Sequence, residues 1–149
     1  MMSDFTDKES VRLKQALAHR NLQNQNSANE YQIKTTQGPT LWNATKEAAK
    51  AIVLELNEKT EHQLLRWEPV HANQIEVTAP EIGPEYKIKV TFLPAEFLLT
   101  WDVLSGQKGR NEMTLSIDRN HKICWKFFQS VKTAEEAAQK LIGELTSTI

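Results

Sequence analysis

The chain has 149 residues, of which 40% are apolar and 25% are charged, and its net charge is −1. This profile is that of one globular domain and excludes a disordered chain, while the small net charge offers no general attraction for a polyanion. A single cysteine excludes an intramolecular disulfide and favours a reducing compartment. Because no signal-like start and no apolar run of about 20 residues is present, we expect a cytoplasmic protein without membrane insertion.

The first 29 residues have little apolar content. Thr6 and Glu9 have the spacing of a capping box, which predicts a short helix after Thr6. The amide-rich stretch 21–29 follows and resembles a frayed helix end or a linker. We therefore expect residues 1–29 to form a flexible or helical N-terminal arm, and residues 30–149 to form a single α+β domain.

A helix is predicted near the start of that domain. Tyr31, Ile33 and Thr35 alternate with polar residues, which weakly indicates a strand, and the pair Gly38–Pro39 should end it. From about residue 41 to 58 the period becomes helical. The expected apolar face of this helix consists of Ala48, Ile52, Val53 and Leu56.

From residue 64 to 128 the hydrophobic period is two, which predicts a six-strand antiparallel meander. In the central hairpin, a two-residue turn at Pro94–Ala95 would pair Val90 with Leu99. The same register would place Lys87 beside Asp102 on the opposite face.

Three further hairpins are predicted with three-residue loops that end in Asn73, Gly109 and Asn120, since glycine and asparagine tolerate positive φ. The pairs expected from these loops are Trp67 with Val77, Trp101 with Leu115, and Leu115 with Ile123. The first hairpin also places Glu68 opposite Glu76, which is unfavourable.

The chain closes with a predicted helix over residues 134–146. Thr133 and Glu136 form a capping box, and an apolar stripe follows them. The predicted fold class is therefore α+β: an antiparallel six-strand meander with one apolar face covered by an N-terminal-side helix and a C-terminal helix.

No pattern indicates catalysis, a cofactor or a metal. His121 and Cys124 are three apart on one strand and so project to opposite faces, which prevents them from sharing a metal. Cys124 is expected to be an inert surface or interface thiol. The stretch Gly106–Gly109 joins two strands and lacks the spacing of a phosphate loop. Enzyme activity is therefore unsupported by the sequence, which does not exclude it.

The aromatic side chains of the inner face allow two interpretations. They form either a close-packed core or the wall of an apolar cavity, whose lining would be Trp67, Tyr86, Trp101, His121 and Trp125. The order strand, helix, meander, helix is similar to the helix-grip topology of hydrophobic-ligand carriers. That resemblance implies a carrier of an apolar small molecule.

The outer face would be polar and carries basic residues that could serve as a binding surface: Arg66, Lys87, Lys89, Lys122 and Lys126. A sheet-based binder of single-stranded nucleic acid would also need aromatics there, and only Phe128 lies beside the lysines. Nucleic acid is therefore not the expected partner. The favoured hypothesis is a non-catalytic binding module that contacts an unknown protein or a second copy of itself.

Overall fold

The computed structural model describes residues 2–106 and 111–149. It has an α+β fold, as predicted, with two helices and a seven-strand antiparallel sheet whose strands follow in chain order. The elements are α1 (Met2–Thr60), β1 (Arg66–His71), β2 (Gln74–Thr78), β3 (Lys87–Leu93), a 3₁₀ turn (Pro94–Glu96), β4 (Leu98–Val103), β5 (Glu112–Ile117), β6 (Ile123–Phe127), β7 (Ser130–Lys132) and α2 (Ala134–Thr146). The sequence prediction missed β7, which has only three residues.

Helix α1 corrects the prediction for the first 40 residues. The strand at 31–35, the helix start at Thr6 and the break at Gly38–Pro39 are all wrong, because Met2–Thr60 is helical. Gly38 has a packing role: a Cβ added there would lie 2.7 Å from the Cδ1 of Leu115, so glycine allows the helix to approach the sheet. The alternation at 31–35 was too short to outweigh the helical context.

The chain divides into two compact units, Met1–Ile33 and Lys34–Ile149. In the first unit, all described side chains from residue 4 to residue 32 are exposed except Glu9. This unit therefore has no core of its own, and its large apolar side chains lie in solvent: Phe5, Val11, Leu13, Leu17, Leu22 and Tyr31.

In the second unit, the core lies between one face of the sheet and the two helices. On α1 the buried stripe is centred on Trp42, Thr45, Ala49 and Val53, since spacings of three and four residues return to one helix face. Of the predicted face, only Val53 is fully buried; the remainder is half-buried. The sheet contributes residues from β2 to β6, and α2 contributes Ala137, Ala138, Leu141, Ile142 and Leu145.

Hydrogen bonds fix the second part of α1 to the sheet. The indole Nε1 of Trp125 donates to the hydroxyl of buried Thr45 at 2.9 Å, and that hydroxyl donates to the carbonyl of Leu41 at 2.8 Å. The indole Nε1 of Trp42 donates to the carbonyl of Ala72, in the β1–β2 turn, at 2.8 Å. Buried polar groups that are paired in this way avoid the cost of desolvation without a partner.

The register of the first hairpin is confirmed. Trp67 pairs with Val77, and Glu68 does lie opposite Glu76. The Nζ atoms of Lys87 and Lys89 on β3 lie 3.5 and 3.8 Å from the Glu76 carboxylate, which offsets the repulsion. Asn73 is not among the described residues with positive φ, so the expected loop geometry is wrong even though the pairing is right.

The other three hairpins are displaced by an even number of residues. Val90 pairs with Trp101 instead of Leu99, and Asp102 faces Lys89 instead of Lys87. Leu115 pairs with Trp125 instead of Ile123. An even displacement leaves the side chains that remain in the strands on their predicted faces, since the side-chain period of a strand is two.

In the β4–β5 hairpin, Leu99 faces Met113, so the predicted partnership of Trp101 with Leu115 is wrong. The loop on which that register was based, 107–109, lies outside the described residues.

Helix α2 confirms the last predicted element. It spans Ala134–Thr146, and both hydrogen bonds of the Thr133–Glu136 capping box are present. Within the residues that the structure describes, neither helix combines the length and the apolar character needed to cross a lipid bilayer.

Candidate interaction surface on the outer face of the sheet

The aromatic residues predicted to line an inner cavity lie in different environments. Trp101 and Trp125 are buried, whereas Trp67 and Tyr86 are half-buried at the margin of the core. His121 is exposed in the β5–β6 turn, with φ of 60°, so its predicted place on the inner face is wrong. The reason is the shifted register, which moves His121 out of the strand and into the loop.

The buried aromatic rings pack against one another. The ring of Phe92 is 5.7 Å from Trp42 in a stacked arrangement and 5.8 Å from Trp125 in an edge contact. The ring of Trp101 is 5.9 Å from that of Phe127. These spacings are those of direct aromatic contacts in a packed core.

The outer face carries its charges in two regions of different character. On β1–β3 the cations are in ion pairs: Lys87 and Lys89 both reach Glu76, and Arg66 lies 3.9 Å from Glu68. Three of the five predicted binding residues therefore have intramolecular partners, which lowers the positive potential they present to a ligand.

The outer face of β4–β7 has fewer charges and a concave shape. Glu112, Thr114, Lys126 and Phe128 line an open groove of about 430 Å³, called here the Phe128 groove. Lys126 also lines a neighbouring depression of about 420 Å³, whose other lining residues are Ser116, Ile117, Asp118, Arg119, Asn120, Gln129 and Val131. The two hollows share Lys126 as their common wall.

The strand register positions the groove residues. Thr114 pairs with Lys126 across β5 and β6, and Lys126 pairs with Val131 across β6 and β7. Residues directly opposite each other share a face, so these three side chains form a row across the sheet. Val131 is exposed at its outer end.

Phe128 is the most exposed of the large apolar side chains that the structure describes, at 80%. It lies in the two-residue turn between β6 and β7, where Phe127 pairs with Ser130, and its φ is 53°. A bulky residue with positive φ is a genuine outlier. The sequence pattern places Phe128 beside the lysines. Hydrophobic periodicity ends at the turn, however, so it could not predict the backbone conformation of Phe128.

The cations near the groove have no carboxylate partner. In the described part of the chain, no carboxylate lies within ion-pair distance of Arg119, Lys122 or Lys126. The nearby Asp118 carboxylate oxygen Oδ1 accepts hydrogen bonds from the backbone amides of Asn120 and Lys122 at 2.8 and 3.0 Å. No ion pair holds these three cations among the described residues, while the carboxylates of Glu112 and Asp118 line the same two hollows.

Cys124 lies on the outer-face side of β6, opposite Ser116, but it is buried, which corrects the predicted surface thiol. Burial raises the pKa of the Cys124 thiol, and the Asp118 carboxylate raises it further. Since the thiolate is the reactive form, this environment suppresses nucleophilic chemistry at neutral pH.

No site for metal chemistry is apparent within residues 2–106 and 111–149, where no three His, Cys, Asp or Glu side chains converge. What the outer face can do chemically is bind: it offers an exposed ring, an ammonium group and a concave surface. Comparisons with protein-family models, with curated proteins and with solved structures found no match to the chain.

Proposed function

We propose that the protein is a non-catalytic interaction module that binds a partner protein through the helix of its Met1–Ile33 unit. The observation that carries the proposal is the exposure of six large apolar side chains on that helix, between 55% and 67% each. Large apolar side chains that stay exposed in a segment without a core are typical of binding surfaces.

The positions of these side chains suggest contacts on two sides. Leu13 and Leu17 are four residues apart, and Tyr31 follows Leu13 by five full turns, so the three share one face. Val11 and Leu22 are three turns apart and lie on the opposite face. A helix with two apolar faces is suited to insertion between two partner elements.

Helix energetics support the same proposal. An isolated helix is marginal in water, and most helical stability in proteins comes from packing an apolar face. The Met1–Ile33 unit buries almost nothing by itself. A partner that covers its leucines would supply the missing packing.

The carrier alternative has less support. It needs an enclosed apolar cavity of at least about 300 Å³. An apolar depression lies between the ends of the two helices, but its volume is only about 200 Å³. Its lining residues are Leu56, Asn57, Thr60, Leu64, Leu65, Ile82, Thr146 and Ile149. The proposal also assigns the module to a reducing cytoplasm, for which the buried, unpaired Cys124 is the support.

The test uses the paired substitution Leu13→Glu with Leu17→Glu in the full chain. The matched control is Gln23→Glu with Gln25→Glu, which adds the same charge at exposed polar positions of the same helix. The purified chain would be used to isolate binding partners, and each partner would then be purified and its affinity measured directly, with light scattering to detect self-association.

We expect the leucine variant to lose about a hundredfold in affinity for the partner, since two buried apolar anchors are replaced by charges. The glutamine variant should bind as the wild type does. Equal binding by the leucine variant, or a wild-type chain that stays monomeric without any purified partner, contradicts the proposal.

A further inference from the structure

We propose that the partner of the Met1–Ile33 helix is a second copy of this chain, whose own helix packs against it in antiparallel orientation. This inference rests on the proposed function, since it names the occupant of the same apolar surface. Four residues that share one face of the helix carry it, and they are called here the seam: Glu9, Leu13, Ala16 and Arg20.

The seam has the spacing of a coiled-coil contact. Its residues are separated by four, three and four positions, which is the alternation that keeps side chains in line along a paired helix. Leu13 is 65% exposed, and Leu17, which flanks the seam, is 61% exposed. Ala16 and Arg20 are also exposed. A second helix laid along the seam would bury both leucines.

The seam is complementary to itself when one of the two helices is reversed. If facing positions add up to 29, Glu9 faces Arg20 and Leu13 faces Ala16. A twofold axis then passes between residues 14 and 15, so each of these contacts occurs twice. A large side chain opposite a small one lets the helices interdigitate, and a carboxylate opposite a guanidinium forms a charge-assisted hydrogen bond.

The same charges disfavour a parallel pair of helices. In a parallel, in-register pair each residue faces its own copy, so each Glu9 would face a glutamate and each Arg20 an arginine. Like charges at facing positions select against an arrangement, and opposite charges select for it. The seam therefore specifies the orientation as well as the identity of the partner.

The other charges of this segment do not interfere with the pairing. Between residues 4 and 20 they are Asp4, Asp7, Lys8, Arg12 and Lys14. At about 100° per residue, all but Arg12 project more than a quarter turn away from the seam. The Nη1 of Arg12 lies 3.9 Å from the Glu9 carboxylate of its own helix, an exposed pair of the kind that contributes little to stability. A carboxylate can accept several hydrogen bonds, so Glu9 can still bind a second guanidinium.

The test is a charge exchange in the full chain, with sedimentation measured over a series of protein concentrations. Glu9→Arg and Arg20→Glu are made as separate variants. Asp7→Arg and Lys14→Glu are the matched controls, because they change the charge by the same amounts on the same helix but away from the seam. Far-ultraviolet circular dichroism checks that each variant keeps its helix.

We expect the wild-type chain to form a dimer and each seam variant to weaken it by about tenfold or more, since by symmetry each substitution creates two like-charge contacts. An equal mixture of the Glu9→Arg and Arg20→Glu chains should recover the wild-type affinity, because all facing charges are then opposite. The two controls should dimerise as the wild type does.

The orientation has a direct readout in the distance between two spin labels. Gln25→Cys provides the labelling site, and the buried Cys124 is protected from a thiol reagent. Position 25 faces position 4 in the antiparallel dimer, so the two labels should be separated by about 32 Å along the helices, at a rise of about 1.5 Å per residue. A separation of about 10 Å, the distance between packed helix axes, would indicate a parallel pair and overturn the inference.

Three further results would overturn the inference: a wild-type chain that sediments as a monomer at every concentration, a dimer that neither seam variant weakens, or a mixture no tighter than the separate variants. A monomeric chain that binds a different purified protein through Leu13 and Leu17 would overturn this inference and leave the proposed function standing. The two proposals therefore fail separately.

Discussion

At the scale of single residues, the turns carry the main departure from sequence expectation. Positive φ was expected at Asn and Gly, but among the described hairpin residues it occurs at Phe97, His121 and Phe128. Residue preference locates a turn reliably, but it does not decide which of two adjacent residues takes the left-handed conformation. At Asn120 and His121 the prediction missed by one residue, and the register shifted with it.

His121 provides a test of this strain. Its side chain is exposed, so replacement by glycine removes steric strain at φ of 60° and sacrifices no buried surface. We expect His121→Gly to raise the free energy of unfolding by about 0.5–1 kcal/mol. Denaturant titration measures it. His71→Gly, at the end of β1 and without positive φ at that residue, should lower stability instead. A loss of stability in both variants would contradict the assignment.

At the scale of elements, the sequence was most informative where two signals agreed. The capping box at Thr133 and the apolar stripe after it predicted α2 correctly. Alternation sorted the strand residues between the faces correctly, because every register error was even. The register of a hairpin depends on the length of its loop. Pro94 and Asp118 mark where two of these loops begin, but they do not indicate how long the loops are. The continuation of α1 through Gly38 and Pro39 was missed because both residues usually break helices. The close approach of Leu115, which explains the glycine, is visible only in the folded chain.

The cap of α2 makes stability depend on pH. Hydrogen bonds from the backbone amide of Thr133, and then its hydroxyl, lower the pKa of the Glu136 carboxyl. A lowered pKa in the folded state means that the carboxylate stabilises the fold above its unfolded pKa, and that this contribution is lost as the pH falls through the folded pKa.

Glu136→Gln should therefore reduce stability at neutral pH and flatten the loss of stability below about pH 4.5. Glu135→Gln, one residue earlier in the same helical turn, controls for the helix dipole. Unfolding curves collected from pH 3 to pH 7, about the range in which a glutamate titrates, provide the measurement. An unchanged pH profile for Glu136→Gln would show that the capping carboxylate is not responsible.

At the scale of the whole molecule, composition and periodicity predicted the fold class but not the candidate site. The Phe128 groove combines a turn residue with side chains from two strands, one glutamate and one lysine among them, and such a combination exists only once the chain is folded. The five basic residues chosen from the sequence share a face as expected, yet three of them are paired with glutamates. These ion pairs depend on which residues are neighbours across adjacent strands. Knowing which face a residue lies on does not provide that information.

The distribution of tryptophan has a practical consequence for studying the protein. All four tryptophans, at positions 42, 67, 101 and 125, belong to the Lys34–Ile149 unit. Indole emission therefore reports that unit alone, whereas far-ultraviolet circular dichroism also records the helix of Met1–Ile33. On heating, the dichroism signal should begin to fall before the emission changes, because the exposed helix lacks packing. Coincident dichroism and fluorescence curves for the free chain would contradict this expectation. If the two curves converge when a partner is added, the difference between them provides a label-free optical assay of complex formation.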